Sequence, residues 1–458
     1  MSKIVDYRIV ISENANTSEL RAASFIRANI KLVCGKTLQI VRDSEQPTAL
    51  EIVVGKTNRE ALDGVQLTRS REGVWEYVMF TDGERFYLTG LGVAPDVEPP
   101  YNTAYRKLDD GGVGTVMAAY HFVEDVLGYQ FIYGIYDAYP ETSELEMPEG
   151  YSYHFTRERF RAQRPENIEG ASIHWLQCSE VIDWNNQSFI IKTENGKLIA
   201  FDGGHAQETD RFIRCLKTLS GEEVPAVSAW LFSHFHGDHY GVYHKLCTDE
   251  NYRGCVKVEN FYCNLATEEF YTKLSKEANP KNAPIRAAML DSETTLGAKV
   301  HTVFRGDVIE VDGISFEVMH APLEQDYGDM NMNDSSVVYK MTHQKSGQTV
   351  MFLGDAEWVC NNHLVAEQGQ RLKSDIVQVG HHGCGNVSRE CYELIDAKVY
   401  WWPIGERFWY GESGEGLNTH NTGVERMRVY MKELGVKNEN VYVNMDRIIS
   451  APLPFPIY

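Results

Sequence analysis

Three imidazoles and one carboxylate fall within six positions of the segment Ser233-His234-Phe235-His236-Gly237-Asp238-His239. Side chains at i and i+2 leave a strand on the same side, so His234 and His236 can grip one metal ion together. Gly237 lets the backbone turn, and Asp238 and His239 can then face a second ion. Imidazole with carboxylate suits zinc, and also manganese or iron. The plain alternative is a set of surface histidines. The apolar run Ala226 to Phe232, which reads as a strand leading straight into the cluster, argues against it.

A two-metal site needs further donors. Gly354-Asp355 follows the apolar run Val350 to Leu353 and offers a carboxylate able to bridge two ions. His381-His382-Gly383 follows Ile376 to Gly380 and offers another imidazole, with the choice between His381 and His382 open. Asp202 follows Leu198 to Phe201 and is a candidate to hold the loop from behind. Each of these groups follows a strand, where a sheet presents functional groups at its edge. Taken singly, Asp355 or Asp202 is an ordinary strand-end turn residue; the histidine cluster reverses that reading.

The elements that must position these groups form two blocks. In the first, to about residue 160, Tyr7 to Ile11 and Leu50 to Val54 read as strands, and Asp82-Gly83 marks a hairpin between Val78–Phe80 and Arg85–Leu88. Thr17 is the expected cap of a helix carrying Leu20, Ala23, Ile26, Ile30 and Val33 on one face, with Gly35 at its end. A second helix carries Val116, Tyr120, Val123 and Leu127, and Tyr129 to Tyr133 then reads as a strand. This alternation predicts a small α/β layer domain over 1–160. Residues 140–170, rich in Glu, Arg, Gly and Pro, form the junction to a second domain, 161–458. There, Ser188–Lys192 and Lys197–Phe201 flank the turn Glu194-Asn195-Gly196. Later strands are expected at Ser315–Met319, Ser336–Met341, Thr349–Leu353, Ile376–Val379 and Lys398–Trp402. Many strands with fewer helices predict two packed sheets with helices outside.

Bulk composition narrows the partners. With 458 residues and 43% hydrophobic residues, the chain can bury sizeable cores. A formal net charge of -21 disfavours bulk nucleic-acid binding. No apolar run approaches the length of a membrane span, and the N-terminus lacks a secretory pattern. Nine scattered cysteines fit reduced thiols, so a cytoplasmic protein is expected. His205 reads as a loop residue, His244 as a packing residue and Cys384 as an inert thiol. Trp401 and Trp402 read as a buried strand, whereas Phe408 to Tyr410 are balanced between packing and a substrate wall.

From about residue 170 onward, Asp202, the His234–His239 cluster, Asp355 and the His381-His382 pair fall in the order of motifs of the metallo-β-lactamase superfamily, which the chain resembles. Asn333-Asp334-Ser335-Ser336-Val337-Val338, Phe352-Leu353-Gly354-Asp355-Ala356-Glu357 and Val379-Gly380-His381-His382-Gly383 resemble one branch, that of the competence-protein hydrolase domain and a phosphorylcholine esterase. Asn418-Thr419-His420-Asn421 is similar to that branch's Gly-His-Pro segment in His420 alone. The wider superfamily places another histidine ligand before the position of Asp355. His320 is the candidate here, and the Asn333 region is the alternative.

The resemblance implies an αββα sandwich and two divalent ions, zinc foremost. The implied ligands are His234, His236, Asp238, His239, His320, Asp355 and His381, with Asp238, His382 and His420 in catalytic roles. It also implies a metal-bridging hydroxide acting on a phosphodiester or phosphate ester. Hydrolysis of a carboxylic ester, lactone or amide is the alternative within enzymes. A glycan- or partner-binding protein with a vestigial metal site is the alternative outside them. The first block resembles the N-terminal accessory domain of α-glucuronidases and β-hexosaminidases, through Ile52-Val53-Val54-Gly55-Lys56-Thr57 and Gly114 to Gly128. That domain implies a fold, no activity of its own, and a hint of a small or carbohydrate-linked substrate. Oligomeric state is left open.

Overall fold

A computed structural model describes residues 2–61, 76–90, 114–132, 137–177, 185–265, 267, 282–410, 422–445 and 447–458. The chain divides into two compact units, with the boundary after Ala162.

The first unit contains β1 (Arg8–Ile11), β2 (Ile40–Arg42), β3 (Glu51–Val54), β4 (Tyr77–Asp82), β5 (Arg85–Gly90) and β6 (Ser152–Phe155). They form one sheet in the order β2-β1-β3-β5-β4-β6, parallel from β2 to β5 and antiparallel beyond. The first helix, Thr17–Cys34, is capped by Asn16 rather than Thr17. The Glu19 N–H donates to Asn16 Oδ1 and the Asn16 N–H to Glu19 Oε2, both at 2.9 Å. This reciprocal box satisfies two donors at once, which a threonine one residue later does not. Ala23, Ile26, Ile30 and Val33 are buried, while Leu20 is 40% exposed. Of the expected strand Tyr129–Tyr133, the described residues Tyr129 to Ile132 form no strand and make a single bridge, Gln130 to Ala138, and Tyr133 lies outside the described residues. The Tyr129 hydroxyl bonds Asp137 at 3.0 Å and its ring stacks on Tyr139, so ring packing replaces the ladder.

The second unit is a sandwich. Its first sheet holds β7 (Ser172–Trp175), β8 (Ser188–Lys192), β9 (Leu198–Asp202), β10 (Ala226–Leu231), β11 (Lys257–Val258), β12 (Asn260–Cys263), β13 (Lys299–Thr302) and β21 (Ile449–Pro452). Its second holds β14 (Val308–Val311), β15 (Ile314–His320), β16 (Val338–His343), β17 (Gln348–Phe352), β18 (Ile376–Gln378), β19 (Val399–Trp402) and β20 (Val441–Val443). The orders are β13-β12-β10-β9-β8-β7-β21, with β11 beside β10, and β14 through β20 in sequence.

Alternation along the strands builds three layers of core. Ile199 and Phe201 of β9 and Val399 and Trp401 of β19 meet between the sheets. Leu198 and Ala200 pack outward under helices Thr209–Ser220 and Gly237–Thr248. Tyr400 and Trp402 pack outward under helices Arg389–Ile395 and Thr422–Glu433. Helices therefore cover both outer faces, giving the expected αββα layering. The rings of Trp175 and Trp401, one from each sheet, stack at 5.0 Å and pin the interface. Among the described residues, no helix is long and apolar enough to cross a membrane.

Candidate metal centre

Every polar group singled out by spacing lies where a strand of the sandwich ends. Asp202 closes β9, and His234–His239 follow β10 and enter helix Gly237–Thr248. Asp355 follows β17, and His381 and His382 follow β18. Asp238 sits in the first turn of its helix, where the N-terminal end of the dipole favours a carboxylate. At Gly354, φ is 56°, and a Cβ would stand 3.0 Å from Ser233 and 3.1 Å from Ser336 Oγ. Only glycine lets the chain turn there and bring Asp355 across to the first sheet.

Two donor groups result. Asp238, His239, Asp355 and His382 place one donor atom each within 4.8 Å of one another, and so do His234, His236 and Asp355. Asp355 is common to both. Its Oδ2 lies 3.3 Å from His239 Nε2 and 3.7 Å from His234 Nε2. His382 Nε2 lies 3.2 Å from Asp238 Oδ2 and 3.6 Å from Asp355 Oδ1. All but His236 and Asp238 are buried.

These residues fit a divalent cation, on the evidence of their unsatisfied atoms. His239 Nε2, His382 Nε2 and Asp355 Oδ1 are buried with no hydrogen-bond partner. The opposite ring nitrogens are engaged: His239 Nδ1 with Asp202 Oδ2 at 2.8 Å, and His382 Nδ1 with the Pro403 carbonyl at 2.5 Å. Both Nδ1–H groups donate outward, so bare Nε2 lone pairs converge with carboxylate oxygens. Such a cluster of buried acceptors is costly without a proton or a cation among them. The titration behaviour agrees. Burial opposes charge on Asp355 and Asp238, yet the neighbouring imidazoles, His239 first, hold both carboxyls below the usual range. Burial alone depresses His239, and Asp355, Asp202 and Asp238 overcome it and raise it well above its ordinary value. His234 is held well below its ordinary value by burial and by His239.

Asp202 stands behind the two donor groups. Its Oδ1 accepts the Ser233 N–H and its Oδ2 accepts the Ser233 hydroxyl, each at 2.8 Å, so one carboxylate fixes both the loop and the His239 ring.

The histidine pair resolves with His382 inside and His381 on the rim. Both residues adopt left-handed backbone, at φ 53° and 47°. The turn sends His382 into the cluster, while His381 Nδ1 meets Glu357 Oε1 at 2.7 Å and its Nε2 lies 3.8 Å from Asp355. His381, expected as a ligand, is therefore not in either donor group. His320 is not brought in either. Its Nδ1–H donates to the Ser336 carbonyl at 2.9 Å and its Nε2 faces His363 Nδ1 at 3.3 Å. Burial pushes its pKa down to about 3. Strand β15 runs on to His320 and buries it, where a ligand needed to stand clear of the sheet. The Asn333 amide nitrogen lies 3.4 Å from each His381 ring nitrogen. His420 lies outside the described residues.

Glu357, two positions after Asp355, holds His381 and accepts from Asn386, a role that no spacing in the sequence marks. His205 contacts the Asn185 carbonyl at 3.0 Å. Trp409 is packed, edge-on to Trp402 with the Arg428 guanidinium 3.8 Å over its ring, which favours the packing role for this segment.

Residues 181–328 match the family model described as the metallo-β-lactamase superfamily. The chain carries a metallo-β-lactamase superfamily domain. The matched stretch includes His234–His239, and Asp355 and His382 lie beyond it, on the second sheet of the same sandwich. Solved structures similar to this metallo-β-lactamase fold include CmlA, a diiron β-hydroxylase from Streptomyces venezuelae, at 12% identity and TM-score 0.38, covering 62% of this chain and 55% of that one. Unliganded yeast PDE1 is similar at 13% identity and TM-score 0.35, covering 62% and 99%. The metallo-β-lactamase fold protein YhfI from Bacillus subtilis is similar at 9% identity and TM-score 0.34, covering 61% and 100%. No curated protein matches the chain.

Proposed function

We propose that this chain is a metal-dependent hydrolase of phosphodiesters or phosphate monoesters. His234, His236 and Asp355 would hold one divalent ion, and Asp238, His239, Asp355 and His382 a second. The observation that carries the reading is the convergence of bare Nε2 atoms and carboxylate oxygens on Asp355, the one residue common to both groups. When bound, zinc or a similar ion pair supplies Lewis acidity and a water of lowered pKa. The chain's own residues supply the rest. Asp202 keeps the His239 proton on Nδ1, so Nε2 stays free to bind. The Pro403 carbonyl does the same for His382. His381, oriented by Glu357 at the rim, stands where it can hydrogen-bond a substrate oxygen. The phosphoester class rests on the sequence resemblance around Asn333–Val338 and His381–Gly383. The acidic chain and the resemblance of the first block favour a small or carbohydrate-linked substrate over nucleic acid.

The test is a hydrolysis screen with added zinc or manganese. It sets bis-p-nitrophenyl phosphate and phosphorylcholine esters against lactones and p-nitrophenyl acetate. Turnover of the phosphate esters is expected. Turnover confined to carboxylic esters overturns the substrate class, and purified protein that takes up no transition metal overturns the hydrolase reading.

A further inference from the structure

The donors of the proposed centre come from both sheets: His234 to His239 from the end of β10, and Asp355 and His382 from the ends of β17 and β18. Two loops of the second sheet must therefore be held at a fixed separation from each other and from the first sheet. Parallel register pairs Phe352 with Gln378, the last residue of both strands. Beyond that rung the backbones part, one toward Asp355 and the other toward His382.

The Gln378 side chain fills the parting. It is buried, and its Oε1 accepts the Leu353 and Gly354 N–H groups, both at 2.9 Å. Its Nε2 donates to the Gly354 carbonyl at 3.2 Å and to the Val379 carbonyl at 2.6 Å. Leu353 and Gly354 are the two residues before Asp355, and Val379 lies three before His382. On the other side, Gln187, just before β8 of the first sheet, brings its Nε2 to 3.5 Å from Gln378 Oε1. The Gln187 N–H donates to the Asp238 carbonyl at 3.0 Å. A buried amide is costly unless bonded, and the neighbours Val377 and Val379 are apolar core residues. An amide at this position is explained by the loops it ties.

We propose that Gln378 is a positioning residue for the metal centre. Its amide fixes the spacing of Asp355 and His382, and so the affinity of the Asp238/His239/Asp355/His382 group for its ion. The proposal rests on the metal-centre reading above. Groups that stand behind metal ligands typically govern affinity by about 10–100-fold, and a loss in that range is expected for Gln378→Leu.

The experiment uses the full chain, stripped with a chelator and titrated with Co(II), with the dissociation constant and the visible absorption of the bound ion as readouts. The comparison variant is Gln348→Leu. Gln348 is another buried amide, bonded to the Phe455 backbone at the opposite end of β17. Both variants should lose stability, but only Gln378→Leu should bind cobalt at least tenfold more weakly and with an altered spectrum. Gln378→Glu keeps the two accepted bonds and loses the two donated ones, so an intermediate loss is expected. Should Gln378→Leu not fold, Gln378→Glu decides. Unchanged affinity and spectrum in the variant that folds overturns the proposal, as does an equal loss of affinity in Gln348→Leu. Wild-type chain that binds no cobalt overturns the metal-centre reading instead.

Discussion

Replacing Asp202 by Asn tests the electrostatic design of the centre with almost no change of shape. Asp202 Oδ2 lies 2.8 Å from both His239 Nδ1 and the Ser233 hydroxyl, and Oδ1 accepts the Ser233 N–H at 2.8 Å. Asp202 and His239 are completely buried, so no solvent stands in for a lost partner. An asparagine that keeps its oxygen for the Ser233 N–H must present its NH2 to His239 Nδ1. The imidazole can then accept only by moving its proton to Nε2, where it points at Asp355 Oδ2, 3.3 Å away. His239 thereby stops being a donor of electrons to a cation. A flipped asparagine restores His239 and instead leaves the Ser233 N–H unpaired, which loosens the loop carrying His234. Either way, a weakening of about 10–100-fold in metal affinity is expected, or about 1.4–2.7 kcal/mol. The assay is calorimetric titration of the stripped protein with zinc, beside wild type. An Asp202→Asn protein that binds the same number of ions with affinity within twofold of wild type refutes the tautomer argument.

Other outcomes follow from the same geometry. Asp355→Ala should remove both ions, because the two donor groups share that carboxylate; elemental analysis finding one tight ion per chain would contradict the sharing. His320→Asn should leave metal stoichiometry unchanged while costing about 1–3 kcal/mol of stability through the orphaned Ser336 carbonyl, as read by denaturant midpoint. Loss of an ion in that variant would restore His320 to the ligand set. Trp401→Ala should cost about 3–5 kcal/mol, since Trp401 fills the space between the sheets against Trp175; a urea midpoint near wild type would count against that packing account. Burial lowers the pKa of His174, and of His320, to about 3, below the ordinary value of 6.5. The unfolded chain therefore takes up those protons first. Stability is complete above pH 6.5 and falls toward pH 3, by up to about 1.4 kcal/mol per unit for each residue. Urea midpoints between pH 7.5 and 4.5 should show this slope, and His174→Asn should flatten it; a slope identical in the variant would discount His174.

The parts of the centre that were legible were those with a local signature. His234 to His239 announce themselves because four donor-type residues follow one apolar strand, and Asp355 and Asp202 because each ends another. The choice between His381 and His382 was not legible, since it depends on two consecutive left-handed residues that no side-chain pattern encodes. The placement of His320 was not legible for a related reason: its strand continues one residue further than the pattern indicates, and its Nδ1 is engaged by the Ser336 carbonyl. Gln378 reaches Leu353 and Gly354, and Glu357 reaches His381, more than twenty residues away, so nothing near them marks these partners. In the fold, the central strands of both sheets were legible from apolar runs. Edge strands such as β13 and β14, with mixed exposure, were not.

The division of the donor set between two sheets has a kinetic consequence. Neither sheet alone carries a complete group, because Asp355 must cross from the second to meet His234 and His239 of the first. In the proposed centre, a complete donor group exists only after the two sheets have closed face to face. Cobalt present during refolding should consequently gain its protein-bound colour in step with that closure and lag the earlier growth of secondary structure, making the centre a built-in chronometer for assembly of the sandwich.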